Sequence, residues 1–131
     1  MTNDRYLLDT SVVLLALKRP ALLSAQARKA VVSGPNVLSA VVYWEVVLKV
    51  MKGALVVGHP RAWWRDALDM LAATALPVEF KHVDGVHELP AIHKDPFDRM
   101  LISQASVESC VLVTTDQEIL KYKSRSIRVV A

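Results

Sequence analysis

The feature that most constrains the fold of this chain is a regular alternation of short apolar runs with longer helical segments. The apolar runs are Arg5–Leu8, Val37–Leu38, Val78–Val83, Cys110–Thr114 and Ile127–Val130, and each is short enough for a strand. Val78–Val83 has the alternating character of a strand, and Cys110–Thr114 has its β-branched content. The helical segments between them are Ser11–Leu17, Ala21–Ser33, Ala40–Lys52, Arg61–Ala75, Phe97–Val107 and Gln117–Lys121. Strands that alternate with helices predict a three-layer α/β/α domain with a mainly parallel central sheet and right-handed crossovers.

The composition predicts one compact domain over residues 1–131. Hydrophobic residues make up 53% of the chain and charged residues 22%, which excludes a disordered tail and allows a packed core. The single cysteine, Cys110, excludes an internal disulfide and a cysteine-based zinc site, and its apolar surroundings predict a buried thiol. The net charge of +3 favours polyanions only weakly and assigns no partner by itself.

The apolar stretches are too short to cross a membrane. Asp9, Glu45 and Lys49 interrupt the best candidates. The N-terminus carries acidic residues beside Arg5 and does not have the profile of a signal peptide. We therefore expect a cytoplasmic protein that makes no contact with a membrane.

Four acidic residues follow the predicted strands at the positions where function usually gathers in such a sheet. Asp9 ends the first strand and Asp116 follows the fourth, while Glu45 lies on the helix after the second strand. Asp98 lies in the first turn of the helix that starts after Asp95. Ligands of open α/β sheets bind beyond the carboxyl ends of the strands, so these side chains are expected to converge there.

Converging carboxylates repel one another and take up protons unless a cation compensates their charge. Glu45 has apolar neighbours on every side of its helix, which predicts that its carboxylate is at least partly buried and needs a partner. Mg²⁺ or Mn²⁺ prefers oxygen ligands and requires only a few protein carboxylates together with water and phosphate. Such an ion can activate water and stabilise the oxygens of a phosphodiester during its cleavage.

Two of the acids also have a purely structural explanation at helix starts. Asp9 can cap the helix that follows it, since Asp is a preferred N-cap residue. Asp98 can stabilise the dipole of a helix that Asp95 caps and Pro96 begins. Neither residue alone therefore identifies a site.

The other two acids have comparable structural explanations. Glu45 can pair with Lys49 one helical turn later. Asp116 competes with a capping box formed by Thr115 and Glu118. The joint placement of the four acids, rather than any one of them, indicates a metal centre.

Three histidines raise the question of a zinc site. His87 is followed by Pro90, and His93 is too far from it for the one-turn spacing of a zinc protease. His82 adds no such spacing. We therefore do not expect zinc, and we assign His93 to the support of the loop before Asp95.

Two tryptophans and several basic residues are candidates for contacts with RNA or protein. Trp64 has the helical spacing of a core residue, whereas Trp63 is expected to point towards a dimer or partner surface. Lys49, Lys94 and Arg99 could hold phosphates near the acids. A second basic cluster comprises Lys121, Lys123 and Arg125. Solvated surface charge is an equally good explanation for any one of them.

Four segments together resemble the PIN-domain family, and more narrowly the VapC-type toxins of bacterial toxin–antitoxin pairs. They are Leu7 to Ser11 after the first strand, Trp44-Glu45, Asp95 to Ala105, and Val113 to Asp116. The similarity extends from Tyr6 to Val130, and the stretch from His93 to Ala105 is its most specific part. Ile119, where an aromatic residue is common, and the segment 84–91 depart from the pattern.

The resemblance implies a Mg²⁺- or Mn²⁺-dependent endoribonuclease, usually a homodimer, that a small antitoxin protein silences. It assigns the acidic quartet to Asp9, Glu45, Asp98 and Asp116 and the neighbouring hydroxyl to Thr115, or to Thr114. Asp9, Asp98 and Asp116 are expected to hold the metal directly or through water, while Glu45 orients a water or a second ion.

Other functions fit the sequence less well. A haloacid dehalogenase-type phosphatase requires a second acid two residues after the first, where this chain has Ser11. A receiver domain requires paired acids near its N-terminus, which the pattern does not provide. An RNA-processing enzyme, or a PIN module that binds RNA without cutting it, stays open as the alternative to a toxin.

Overall fold

A parallel β-sheet forms the centre of the computed structural model, which describes residues 4–131. Its strands are β1 (Tyr6–Leu8), β2 (Asn36–Ser39), β3 (Ala73–Leu76), β4 (Val111–Val113) and β5 (Arg128–Val130). They are hydrogen-bonded in the order β3-β2-β1-β4-β5, and each pairing is parallel. The sheet is therefore wholly parallel in the described part of the chain, where the sequence predicts a mainly parallel one.

Helices surround the sheet and complete a three-layer α/β/α architecture, as predicted. They are α1 (Thr10–Lys18), α2 (Ala25–Ser33), α3 (Ala40–Met51), α4 (Pro60–Met70), α5 (Phe80–Gly85), α6 (Pro96–Val107) and α7 (Gln117–Leu120). Short 3-10 helices at Pro20–Leu22 and Val86–Glu88 connect some of them. Within residues 4–131, no helix has both the length and the apolar character needed to span a membrane.

Helices α1 and α3 start directly at the carboxyl ends of β1 and β2, because polar residues there act as N-caps. Asp9 follows β1 and accepts a hydrogen bond from the Val12 N–H at 2.9 Å. Ser39 ends β2 and its hydroxyl accepts from the Val41 N–H at 3.0 Å. Each cap satisfies a helix donor that would otherwise lack a partner, and it fixes the helix start at one edge of the sheet.

The central strands are apolar on both faces, as in parallel sheets covered by helices on both sides. Leu7 and Leu8 of β1, Leu38 of β2, and Leu112 and Val113 of β4 are fully buried. One hydrophobic cluster joins these strands to the helices around them. The edge of the sheet that carries Asp9 and the residues after β4 is therefore held on a rigid scaffold.

The predicted strand over Val78–Val83 is wrong, because this segment contains helix α5 and the third strand lies earlier in the chain. Helix α4 ends at Met70 rather than continuing to Ala75, and β3 occupies Ala73–Leu76. This edge strand has small, partly exposed side chains and pairs with β2 alone, so tertiary pairing rather than local propensity selects it.

Helix α2 also starts later than predicted. The sequence predicts a helix from Ala21, whereas a 3-10 turn comes first and Ser24 then caps α2. The Ser24 hydroxyl accepts a hydrogen bond from the Ala27 N–H at 3.0 Å. Ser24 therefore fixes the start of α2 at Ala25, four residues later than predicted.

Helix α5 lies close against α6, the helix that carries Asp98. A Cβ atom placed on Gly85 would lie 2.5 Å from the Ser103 hydroxyl oxygen, so only glycine fits this contact without a shift. The same hydroxyl donates a hydrogen bond to the His82 carbonyl at 2.5 Å. This contact fixes the position of α6 relative to the segment that precedes it.

Candidate active site

A cavity of about 220 Å³ opens at the carboxyl ends of β1 and β4, and we call it the acid cavity. The residues that line it are Asp9, Thr10, Ser11, Glu45, Lys49, Asp95, Asp98, Thr115 and Asp116. The structure thus brings together all five residues that the sequence assigns to the site. They come from four separate segments of the chain, and the fold alone makes them neighbours.

Asp9 lies at the end of β1 and is buried. Its Oδ1 accepts hydrogen bonds from the Ser11 hydroxyl at 2.9 Å and the Val12 N–H at 2.9 Å, and its Oδ2 accepts one from the Thr114 hydroxyl. Burial raises the pKa of the Asp9 carboxyl, against the opposing effect of these hydrogen bonds. A carboxylate offers about four acceptor positions, so one on Oδ2 stays free for a cation.

The residues after β4 form the second wall of the acid cavity. Thr114 is buried, and its oxygen also accepts the Asp116 N–H at 3.0 Å, so one hydroxyl fixes both aspartates. The exposed Thr115 has its hydroxyl oxygen 2.6 Å from that of Ser11. Thr115 therefore lines the cavity, whereas Thr114 holds the acids in place.

Asp116 itself caps helix α7, and its Oδ1 accepts the Glu118 N–H at 2.9 Å. The capping box that the sequence allows between Thr115 and Glu118 is therefore wrong. This bond leaves Oδ2 of Asp116 facing the acid cavity, where it meets His93.

Glu45 reaches the acid cavity from helix α3. Its Oε1 accepts a hydrogen bond from the Thr10 hydroxyl at 2.6 Å, and its Oε2 lies 3.5 Å from the Lys49 Nζ. The side chain is 20% exposed, which confirms the predicted partial burial. The pairing with Lys49 is present as well, so Glu45 combines a position in the cavity with a structural ion pair.

Asp98 projects from the first turn of α6, which Asp95 caps by accepting the Phe97 N–H at 2.8 Å. The pKa of Asp98 is raised to about 7, mainly by burial and next by the charge of Asp95, with Asp9 and Glu45 adding to the repulsion and His93 opposing it. The carboxylates of this cavity therefore carry more negative charge than the nearby bases compensate.

His93 is the site residue that sequence reasoning missed. Its Nδ1 accepts the Asp95 N–H at 3.1 Å, which confirms its support of that loop. Its Nε2 also lies 3.1 Å from Asp116 Oδ2 and 3.2 Å from Asp98 Oδ2. Because Nδ1 uses its lone pair on a backbone N–H, Nε2 carries the proton and donates to the carboxylates.

The donor set of the acid cavity fits Mg²⁺ or Mn²⁺. Asp98, Asp116 and His93 each place one potential ligand atom within 4.8 Å of the other two, and Asp9 and Glu45 line the same cavity outside that group. Carboxylate oxygens are the ligands that these ions prefer. A divalent cation would also favour the charged form of Asp98, whose pKa is raised by burial and, to a smaller extent, by repulsion from Asp95, Asp9 and Glu45. His93 suits the outer shell, since ligation through Nε2 would require it to give up the Asp95 hydrogen bond.

Within residues 4–131, His82 and His93 belong to two different groups of possible metal ligands. His82 belongs to a separate group with Glu79 and Glu108, and His93 belongs to the acid cavity. Neither group contains a cysteine or a second histidine.

The tryptophan prediction holds for one residue and fails for the other. Trp64 packs against the core as expected, with its ring centroid 5.4 Å from that of Tyr43. Trp63 packs against the core too, so the expectation that it points away is wrong. Trp44 of α3 is 58% exposed and meets Phe97 edge-on.

Comparisons with known proteins agree with this architecture. Solved structures similar to this chain include VapBC2 of Rickettsia felis bound to a promoter DNA fragment, with TM-score 0.67, 15% identity and coverage of 95% of this chain and 96% of that chain. DNA-bound VapBC of Salmonella typhimurium has TM-score 0.67, 16% identity and 97% coverage of each chain. VapBC-5 of Mycobacterium tuberculosis, from a family of toxin–antitoxin systems, has TM-score 0.62, 17% identity and coverage of 96% and 97%.

At these identities the structural likeness shows the fold alone. No curated protein sequence matches the chain significantly. The family model described as the PIN domain matches residues 6–124, which include every residue of the acid cavity. By this match over most of its length, the chain belongs to the PIN domain family.

Proposed function

We propose that this protein is a Mg²⁺- or Mn²⁺-dependent endoribonuclease, acting as one PIN domain over residues 1–131. The observation that carries the proposal is the meeting of Asp9, Glu45, Asp98 and Asp116 in one cavity at the carboxyl edge of the sheet. The cavity offers carboxylates rather than an organic nucleophile with its base, and such a donor set suits metal-assisted hydrolysis of a phosphodiester.

The proposed roles follow from the hydrogen bonds of each carboxylate. Asp9, Asp98 and Asp116 hold the ion directly or through water, since each has an oxygen that faces the cavity. When bound, the ion supplies an activated water and charge stabilisation at the phosphodiester. Glu45 orients a water, because Thr10 and Lys49 fix its carboxylate at the cavity wall. We assign the Thr115 hydroxyl to contact with the substrate, because this residue lines the cavity.

The toxin assignment rests on the structural neighbours. They are VapBC complexes, and one belongs to a family of toxin–antitoxin systems. We infer that this chain is likewise the toxin of such a pair, with a small antitoxin protein as its partner, and that it acts as a homodimer in the cytoplasm. A role in RNA processing without an antitoxin, or RNA binding without cleavage, is the alternative.

The test is cleavage of RNA by the purified chain with Mn²⁺ or Mg²⁺ and with excess EDTA. Asp116→Asn protein purified in parallel is the control for contaminating ribonucleases. We expect cleavage by the wild type with metal, and none with EDTA or with the variant. Cleavage that persists in EDTA, or that is equal in the variant, would refute the metal mechanism. RNA binding without cleavage under every metal condition would favour the non-catalytic alternative.

A further inference from the structure

A second cavity, of about 490 Å³, lies beside helix α6, and we call it the cationic pocket. Val83, Val86 and Met100 form an apolar wall, and His87, Lys94 and Arg99 supply the basic groups. Its volume lies within the range of roughly 300–1,000 Å³ that is usual for small-molecule sites. The combination of cationic and apolar groups suits a ligand that has an anionic part and a flat organic part.

The segment from His93 to Met100 contributes to both cavities. Asp95 and Asp98 line the acid cavity, whereas Lys94 and Arg99, the residues next to them in the chain, line the cationic pocket. The start of helix α6 therefore borders both cavities. A strand of RNA that places one phosphodiester in the acid cavity can extend over this helix start into the cationic pocket.

In the part of the chain that the structure describes, neither Lys94 nor Arg99 has a carboxylate within ion-pair distance. The buried Nε of Arg99 has no hydrogen-bond partner among those residues. Since this Nε is closed to solvent, a phosphate in the pocket would bind Arg99 through its terminal guanidinium nitrogens. Lys49 of the acid cavity differs, since Glu45 neutralises it.

We propose that the cationic pocket is a nucleotide subsite for the RNA substrate. Lys94 and Arg99 bind a phosphate next to the scissile one, and the neighbouring base packs against Val83, Val86 and Met100. This inference rests on the proposed ribonuclease function and specifies where the substrate extends. The side chains of the apolar wall offer no hydrogen-bonding group, so the subsite holds a nucleotide without reading its base.

Charge favours RNA over a second copy of this chain as the occupant. The chain has a formal net charge of +3, and the basic groups of the pocket complement a polyanion rather than another copy of a cationic protein. An arginine also binds phosphate through paired hydrogen bonds, which adds orientation to the electrostatic attraction.

The experiment compares Arg99→Gln and Lys94→Gln with the matched controls Arg28→Gln and Lys29→Gln. The control residues are neighbouring exposed bases on α2, a helix that does not contribute to either cavity. Affinity for a fluorescent single-stranded RNA of about ten nucleotides is measured across salt concentrations. Cleavage of this RNA is compared with cleavage of bis(p-nitrophenyl) phosphate, a diester that has no second phosphate to occupy the cationic pocket.

We expect each pocket variant to weaken RNA binding and raise KM by about tenfold, with little change in kcat or in cleavage of the small diester. The slope of log affinity against log salt should fall by about 0.7 for the lost phosphate contact, with no change in the controls. Lys94 is exposed, so its variant stays informative if Arg99→Gln fails to fold.

Unchanged RNA affinity in both folded pocket variants would overturn the subsite, as would an absence of RNA binding by the wild type. If the wild type binds RNA without cleaving it, and the pocket variants bind less tightly, the subsite stands and the hydrolase proposal fails. If Val86→Asp changes the oligomeric state in light scattering but leaves RNA affinity unchanged, the pocket is an interface between copies of the chain and the subsite is refuted.

Discussion

The protein contains two histidine–carboxylate clusters that share one hydrogen-bonding pattern but differ in charge. In both, the histidine Nδ1 accepts a backbone N–H, from Asp95 at 3.1 Å for His93 and from Glu79 at 2.9 Å for His82. Nε2 then donates to carboxylates in both clusters. His82 meets one carboxylate, Glu108 Oε2 at 2.8 Å, whereas His93 lies between two.

The surroundings of these carboxylates give the two clusters opposite electrostatics. Lys81 lies 3.3 Å from Glu108 Oε2 and Arg5 lies 3.9 Å from its Oε1. The hydrogen bond from His82 therefore lowers the pKa of Glu108, and Lys81 adds to the effect. In the acid cavity, burial and neighbouring acids raise the pKa of Asp98 to about 7.

The difference shows that residue types alone do not make a site. The cluster of Glu108 has its charges balanced within the protein, and it fixes α5 to α6 through a histidine that is fully buried. The acid cavity has excess negative charge and open volume, which are the conditions for binding a cation. A group of possible metal ligands therefore indicates function only where its charge is left uncompensated.

Substitution of one carboxylate in each cluster should give the largest contrast. Asp116→Asn should reduce metal-dependent cleavage by about a hundredfold or more, since an amide carries no charge and coordinates more weakly. Glu108→Gln is the matched control and should leave kcat and KM unchanged. Circular dichroism establishes that both variants fold before rates are compared. Equal losses of activity would mean that the two clusters are not functionally distinct.

How much of this site the sequence predicts depends on how local its determinants are. The sequence predicts Asp9 and Asp116 as site residues because each follows an apolar run that marks the end of a strand. Open α/β sheets bind ligands beyond these carboxyl ends. Asp95 and Pro96 mark the helix start that carries Asp98, and the resemblance to the PIN-domain family assigns Asp98 to the site. For each of these acids, neighbouring residues in the chain carry the relevant pattern.

The misses have non-local causes. The contacts of His93 with Asp98 and Asp116 depend on the path of the loop before α6, which no periodic pattern encodes. The segment Ala73–Leu76 forms a strand because it pairs with β2, although its local sequence favours a continuation of the preceding helix. The alternating pattern over Val78–Val83 predicts a strand, but Val83 lies on helix α5 and is 50% exposed.

Removal of each histidine should separate stability from activity. His82→Ala removes a fully buried ring and leaves the Glu79 N–H and Glu108 with one partner fewer, so we expect a loss of about 2–4 kcal/mol in the free energy of unfolding. His93 has a side chain 20% exposed, so His93→Ala should cost less stability. It should instead reduce activity or metal affinity by about 10- to 100-fold, because the outer-shell donor to Asp98 and Asp116 is lost.

Urea unfolding and metal-dependent cleavage, measured on both variants, test this separation. Activity per folded molecule should be preserved in His82→Ala. A variant of His93 that is fully active and strongly destabilised would show that His93 is a structural residue like His82, and that the contrast between the clusters is wrong.

The smallest expected effect is an opposite pH dependence of stability at the two clusters. The folded, metal-free protein holds a proton on Asp98 up to about pH 7, whereas the unfolded chain releases it near the ordinary value of 3.8. Between these values the folded state binds more protons, so the free energy of unfolding should fall as pH rises through that window. The raised pKa of Asp9 acts in the same direction.

Glu108 changes the free energy of unfolding with pH in the opposite direction. Its pKa is lowered from 4.5, so its contribution to stability is present above that pH and is lost as pH falls below it. Urea unfolding in EDTA should show a decline towards neutral pH that Asp98→Asn reduces, and a decline in acid that Glu108→Gln reduces. Mn²⁺ should remove only the first decline, because it binds the deprotonated carboxylates of the acid cavity. If Mn²⁺ and Asp98→Asn both leave the dependence of the unfolding free energy on pH unchanged, then Asp98 does not have a raised pKa in the folded protein and the acid cavity does not bind the ion.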